Sequence, residues 1–388
     1  MGRTVIDGVT VIPGGGKPVR TDAAVTLEAD GTVSEITAGA PADGWILAPA
    51  AVDLHLDNLV QRRRPRATVT LDPAAVLIAL DAECAAAGIA TVCVAARCEH
   101  APQKGIDIAD AVTLATTLEQ LGPSLCCDWR IHARVELTDD GAVDALTGVL
   151  AASSRVALIS LIETSLQRSR FASVAETRRF YAEDWGVEED EVERVFRVSD
   201  ATRAVVDERR KTVAALAVQS DIPLASHDDR TPDQIEEAFG HGARIAEFPL
   251  TLDAARRARR LGMHVVLGAP NAVRGRSTSP GNVLAADAVA AGLCDILCSD
   301  YLPSALPAAP HALAAAGAAS LGSAIDVIST HPAAVLGRPE PVIEVGRPLT
   351  ATLRRRHGGV DVGVALWRDG RLVFARESAR RRPAALVG

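Results

Sequence analysis

The strongest constraint on this chain is a rhythm. Eight short apolar runs recur through its middle: "AAVDLHLDN", "IATVCVAA", "DWRIHARVEL", "VALISLIE", "IPLASHDD", "IAEFPL", "HVVLGAPN" and "CDILCSDY". Between most of them lies a segment long enough for a helix, such as "TLDAARRARRLG". Strand-like runs alternating with helical stretches predict parallel strands joined by helical crossovers. Eight such units, the count read here, close a (β/α)8 TIM-like barrel, and a doubly wound open sheet is the alternative. A second regularity favours the barrel. In nearly every run the polar residues stand at the C-terminal end: His55 and Asp57, Glu136, Glu163, His227, Glu247, Asn271, Asp300. Barrel active sites lie at that end.

The two ends of the chain read differently. The first 48 residues give short strands with turns between them, "TVIDGVTVI" and "AAVTLEADGTVSEI", and near the C-terminus "VDVGVALWRDGRLVFA" predicts a hairpin about its Asp-Gly. These segments predict a small β-sandwich domain built from residues 1–48 and 338–388, with the barrel inserted between them at 49–337. Residues 166–215, including "TRRFYAEDWGVEEDEVERVFR", read as a charged helical insertion after the fourth strand. A solvated excursion is the plain expectation for it, and a lid or dimer arm the alternative.

Composition excludes several classes. A net charge of -8 argues against general nucleic-acid binding, which needs a basic face. The seven cysteines form no paired CxxC set and sit in apolar runs, the pattern of buried free thiols in a reducing compartment. No signal peptide is visible, and no apolar run reaches the roughly 18 residues of a membrane span. These features predict a cytoplasmic protein without membrane contact. Only three of the 41 basic residues are lysine, Lys17, Lys104 and Lys211, so most arginines reflect coding bias rather than function.

His55 and Asp57 stand two apart on a strand, so both side chains enter the same face and can share a cation. Glu136, His227, Glu247 and Asp300 close other strands, completing a mixed nitrogen and oxygen set suited to one or two divalent ions. Zn²⁺ is the first expectation, with Mn²⁺ or Fe²⁺ as alternatives. His132 and His241 read as ordinary packing or surface histidines. Directly after the first strand come Arg62, Arg63, Arg64 and Arg66, and after the seventh come Arg274 and Arg276, positions from which guanidinium groups could meet an anionic substrate.

The segments "HLDN" (55–58), "LASHDD" (224–229), "AEFPLTLDAARRARRLGMHVVLGAPNAVRGRS" (246–277), "GN" (281–282) and "DILCSDYLPSAL" (295–306) resemble the alpha-D-ribose 1-methylphosphonate 5-triphosphate diphosphatase family of the amidohydrolase superfamily, which serves the carbon-phosphorus lyase pathway. The resemblance implies a metal-dependent hydrolase that releases pyrophosphate from a phosphorylated sugar. It implies that His55, Asp57, His227, Glu247 and Asp300 hold the metal, that Glu136 bridges two ions, and that Asp300 handles the catalytic proton. It places Asp228, Asn271, Arg274, Asn282 and Tyr301 on the substrate side, to which Arg62 and Arg64 are added by position. Members of the superfamily often pair, which leaves a homodimer open.

Two departures stand out. Where the family typically reads "HTDNLE" this chain has Val60 in place of the acid, and where it reads "MDHTPGQ" this chain has "IETSLQR" at 162–168. The metal site could therefore persist while the substrate differs. The alternatives are an amidohydrolase that cleaves a carbon-nitrogen bond, as a cyclic amidase, deacetylase or deaminase does, and an inert homologue that only binds partners.

Overall fold

The computed structural model describes residues 3–376 apart from 67, 167, 172, 197–199 and 359. From the N-terminal end come strands β1 (Thr4–Val11), β2 (Arg20–Leu27), β3 (Val33–Ala38) and β4 (Trp45–Pro49). The central strands are β5 (Ala51–Leu56), β6 (Ile89–Cys98), β7 (Asp128–Glu136), β8 (Val156–Ile162), β9 (Leu224–His227), β10 (Ile245–Glu247), β11 (His264–Gly268) and β12 (Ile296–Cys298). The C-terminal end adds β13 (Ala351–His357), β14 (Val360–Arg368) and β15 (Arg371–Ala375).

Strands β5 to β12 pair in sequence order, each parallel to the next. The last closes on the first through a parallel bridge between Leu56 and Asp300, where the Asp57 N–H donates to the Asp300 carbonyl at 2.6 Å. Asp53, fully buried on β5, bolts the same seam by accepting from the Ser299 hydroxyl at 2.5 Å and the Ser299 N–H at 2.9 Å. The barrel is thus closed, as the eight-unit rhythm predicts.

The helices show why the intervening segments are so rich in alanine. Helix Leu252–Arg260 buries Ala254, Ala255 and Ala258 against the strands, which allows close approach, and leaves its arginines to the outside. Its N-cap is Thr251, whose side chain accepts from the Ala254 N–H, and helix Pro232–Gly240 starts on Thr231 with a full capping box. Such caps fix where each strand-end loop must finish.

The terminal strands form one seven-stranded sheet in the order β15-β14-β13-β4-β1-β2-β3, rather than the two stacked sheets of a sandwich. Its two end hairpins meet. The turn at Gly31, in the left-handed region with φ +81°, lies so close to Gly370 that any Cβ at Gly31 would strike the Gly370 backbone. The Leu349 N–H donates to the Gly31 carbonyl at 3.0 Å and the Gly370 N–H to the Leu349 carbonyl at 2.9 Å. The sheet therefore curls around its own core, which includes Val9, Val25, Leu47, Leu353 and Trp367.

The expected insertion at 166–215 is shorter than the charge pattern suggested. Helix Asp200–Gln219 buries Val206, Val213 and Ala217 in the main core and serves as the crossover between β8 and β9. The true excursion comprises helices Val174–Trp185 and Glu189–Phe196, and it is not merely solvated. Leu166, Tyr181, Val192 and Phe196 are buried in it, with Phe171, Phe180 and Trp185 packed against them. Five of the twelve aromatic residues of the chain gather here and give the excursion a core of its own. Among the described residues, no helix is long and apolar enough to cross a membrane.

Candidate active site

Two consecutive strand ends share one local design. β9 ends on His227 and β10 on Glu247; the next residue, Asp228 or Phe248, is left-handed (φ 57° and 51°), and a helix-capping threonine follows three residues later. Asp300 after β12 is left-handed too, at φ 57°. A bulky residue such as Phe248 in this region stores about 1–3 kcal/mol of strain, which persists only where the surroundings enforce it. Here the ladder does so: the Phe248 N–H donates to the Val266 carbonyl at 2.8 Å and the Asp228 N–H to the Glu247 carbonyl at 3.0 Å. The kinks fix how the site-bearing strand ends turn into their loops.

Inside the barrel, Glu247 is a hub. Its carboxylate lies 3.2 Å from His55 Nδ1 and 3.4 Å from His132 Nε2, and it accepts from the Ser160 hydroxyl at 2.5 Å. His132 Nε2 also lies 2.5 Å from Ser160 Oγ. All four side chains are buried. Burial drives the His55 imidazole down to about 4, so it is neutral at pH 7. Burial alone would raise Glu247, but His132 and His55 outweigh it and hold the carboxylate well below its ordinary range.

The ligand atoms of His55, His132 and Glu247 all lie within 4.8 Å of one another, and two imidazoles with one carboxylate suit a borderline divalent cation. One donor is already unspent, because His132 Nδ1 is buried without a hydrogen-bond partner. This trio fits a metal. His132, expected from sequence to be a packing or surface histidine, is therefore a candidate ligand, and Ser160, for which the sequence gives no expectation, is its hydrogen-bonding neighbour. A signal existed for the histidine: His132, Arg134 and Glu136 stand two apart on β7 and share a face.

The remaining expected ligands have other partners. Arg134 inserts its guanidinium between Asp57, to which it hydrogen-bonds, and His227, whose Nε2 lies 3.4 Å away. Arg97 stands 3.8 Å from Asp57 as well. Burial would raise Asp57, yet Arg97 and Arg134 hold it far below the usual carboxylate range. An ion shared by Asp57 and His227 would have to displace this guanidinium. Glu136 accepts from the hydroxyls of Thr164 at 2.7 Å and Thr138 at 2.8 Å, and burial raises its pKa. Burial and the charge of Asp57 push Asp300 up to about 6.

Above this layer opens a cavity of about 580 Å³. His55, Asp57, Glu136, His227 and Asp300 line it, as do Asp228, Asn271, Arg274, Asn282 and Tyr301. Glu247 and His132 lie outside this lining, buried behind His55. Two of the expected substrate residues prove to be braces. Asn271 spends both ends of its amide on backbone, donating to the Val283 carbonyl at 3.0 Å and accepting from the Ala285 N–H at 2.9 Å. Asn282 donates to the Arg170 carbonyl at 2.8 Å. Arg62 and Arg64 are absent from the cavity wall. Arg62 is ion-paired with Glu83 at 2.7 Å and Arg64 packs beside Gly105, because the one-turn helix Leu59–Arg63 turns them away from the barrel mouth.

No family model matches the chain. It is 32% identical over 340 residues to alpha-D-ribose 1-methylphosphonate 5-triphosphate diphosphatase of Escherichia coli (strain K12), covering 85% of this chain and 88% of that protein. Among solved structures it is similar to a Xaa-Pro dipeptidase (TM-score 0.64, 13% identity, 96% of this chain and 100% of that one). It is also similar to 5-methylcytosine deaminase from Klebsiella pneumoniae (TM-score 0.62, 15% identity, 96% and 97%) and to a D-hydantoinase (TM-score 0.59, 12% identity, 95% of each). At such identities these likenesses concern the fold. With the barrel, its strand-end site and the sequence relative in agreement, the chain is a hydrolase of the amidohydrolase superfamily and belongs to the alpha-D-ribose 1-methylphosphonate 5-triphosphate diphosphatase family.

Proposed function

We propose that the protein hydrolyses the α–β phosphoanhydride of a ribose 5-triphosphate bearing a phosphonate, α-D-ribose 1-methylphosphonate 5-triphosphate or a close analogue, and releases pyrophosphate. The observation that carries this reading is positive charge left uncompensated beside the strand-end site. Arg274 and Arg276 line the cavity, and among the described residues no ion pair includes either of them. A triphosphate brings roughly four negative charges, and guanidinium groups are the natural partners of phosphate oxygens. The name of the Escherichia coli relative points to the same substrate class.

His55, His132 and Glu247 would hold a divalent cation, with Asp57, His227 and Asp300 at its cavity side; Zn²⁺ suits the donor set best. Such an ion, when bound, supplies acidification of water, from a pKa of about 15.7 toward about 7. The chain's own groups do the rest. Arg134 neutralises Asp57 so that the cavity floor tolerates an incoming anion. Asp300, raised to about 6, accepts the proton lost by the attacking water and returns it to the departing pyrophosphate. Phosphorus NMR of the reaction tests the reading: pyrophosphate and a ribose 5-phosphate should appear together. Orthophosphate alone, or release of ammonia or a carboxylate from an amide substrate, would overturn it.

A further inference from the structure

The cavity has an outer cationic layer that neither the strand ends nor the strand 7 loop accounts for. Lys104, from the loop after β6, and Arg170, from the excursion after β8, both line it. Two of the acids of the cavity already have cationic partners: Arg97 sits 2.7 Å from Glu99, and Arg134 holds Asp57. Among the described residues, no ion pair includes Lys104 or Arg170.

Their placement is enforced from below. The Arg170 guanidinium lies over the rings of Phe171 and Phe180, at 5.1 and 4.9 Å from their centroids. The Lys104 ammonium stands 5.9 Å from the centroid of Tyr181, whose ring packs on Phe180 at 5.2 Å. Two cations thus rest on one aromatic layer. Cation–π contact orients the groups without consuming their N–H donors. The backbone beneath is pinned as well: Asn282 holds the Arg170 carbonyl at 2.8 Å, and Arg230 Nη2 holds the Phe171 carbonyl at 2.9 Å. Like charges held on one layer without an ion-pair partner repel each other and are favourable around an anion.

We infer that Lys104 and Arg170 grip the terminal phosphates of the substrate, which become the leaving pyrophosphate, and so make the enzyme select a 5-triphosphate over shorter phosphate chains. The assignment rests on the phosphoanhydride reading above. The scissile phosphorus belongs at the strand ends, beside His55, Asp57, His227 and Asp300, so the phosphates beyond it meet the loops. With Arg274 and Arg276 the two new residues give the cavity four cations that no ion pair among the described residues includes, groups suited to the oxygens of a triphosphate.

The test titrates inorganic tripolyphosphate into the whole protein by calorimetry, a readout independent of turnover. Wild type should bind it, and Lys104→Met and Arg170→Ala should each weaken binding by about ten- to a hundredfold, the value of one charge-assisted contact. Arg170→Lys should recover part of the loss, and Arg62→Ala, outside the cavity, should bind as wild type does. In turnover, KM for the 5-triphosphate should rise by the same factor with kcat little changed, and preference over the 5-diphosphate should shrink. A wild type that fails to bind tripolyphosphate, or variants that bind it equally well, would overturn the assignment. Pyrophosphate release that persists beside unaltered variant binding would sink the grip and leave the proposed reaction standing. Lost binding without pyrophosphate release from any ribose triphosphate would do the reverse. Should Arg170→Ala melt early, Lys104→Met carries the test, because Lys104 does not anchor the excursion.

Discussion

Replacing Glu247 by Gln tests whether the buried trio is one physical unit. The amide keeps the volume of the side chain and removes its charge. Three contacts then lose their ionic character, those to His55 Nδ1, His132 Nε2 and Ser160 Oγ. A bond to a charged group is worth about 1 kcal/mol more than its neutral counterpart, so the three together amount to roughly 3–4 kcal/mol. At about 2.1 cal/mol/K per residue, the unfolding entropy of a 388-residue chain is roughly 0.8 kcal/mol/K. The melting temperature should therefore fall by about 4 °C.

The measurement is calorimetry on chelator-treated protein at pH 8, so that folding and not metal binding is read. Because the folded carboxylate lies below its unfolded value, its contribution is complete above the unfolded pKa of about 4.5 and fades as pH falls through the folded one. The gap between wild type and variant should narrow accordingly in acid. Zinc affinity should fall by at least about 10–100-fold, the effect of removing a group that merely orients a ligand, since Glu247 is proposed as a ligand itself. A metal-free variant that melts within about 1 °C of wild type and binds zinc equally well would refute the hub.

Three further outcomes follow from single contacts. Arg62→Ala and Arg64→Ala should leave kcat/KM for the triphosphate within about twofold, since Arg62 is spent on an exposed pair with Glu83 worth under about 1 kcal/mol; a large rise in KM would return the strand 1 arginines to the substrate. Gly31→Ala should destabilise by about 2–5 kcal/mol through left-handed strain and collision with Gly370, read as a lower thermal midpoint, and an unchanged midpoint would mean the end hairpins do not lock the sheet. Asp229 is buried and raised to about 6, above its unfolded 3.8, so its folded form is penalised as pH rises through that window. Asp229→Asn should accordingly stabilise by up to about 3 kcal/mol at pH 8, by about half as much at pH 5 and little below pH 4, and equal effects at pH 8 and pH 4 would show that the carboxylate is not ionising in place.

The barrel was legible because each strand ends where polarity begins, a pattern written in consecutive residues. The trio was only half legible. His55 and Glu247 sit at strand ends, but His132 and Ser160 lie one step inside, where a polar residue amid "RIHAR" or "LISLI" looks like noise until neighbouring strands set the register. The excursion was misjudged for a related reason. The buried residues of helix Asp200–Gln219, Val206, Val213 and Ala217, are spaced among charges, and only contact with the barrel separates them from a solvated face. The arginines after β5 show a third limit: sequence position put them at the right end of the right strand, yet one short helical turn decides where the side chains go.

Strand 4 shows how one site can keep its chemistry while its surroundings change. The acid that opens its loop, Glu163, is missing from the cavity lining and points instead into a buried charge cluster. There it meets Arg210 at 2.6 Å, Arg203 at 2.8 Å and Arg168 at 3.3 Å. Arg210 and Arg168 reach on to Glu237 of the next helix. Glu163 thereby ties the start of the excursion, the crossover helix and the following unit together at one point. Removing a nearly buried acid from three guanidinium groups would leave them unbalanced, a change that such clusters tolerate poorly. The loss of the family's "MDHTPGQ" pattern therefore falls on the anchoring of the excursion and, through Thr164, whose hydroxyl donates to Glu136 at 2.7 Å, on one strand-end acid, while the contacts among His55, His132 and Glu247 do not involve it. Since that excursion carries Arg170 and the aromatic layer beneath it, the proposed phosphate grip predicts that change at strand 4 alters first what the cavity admits.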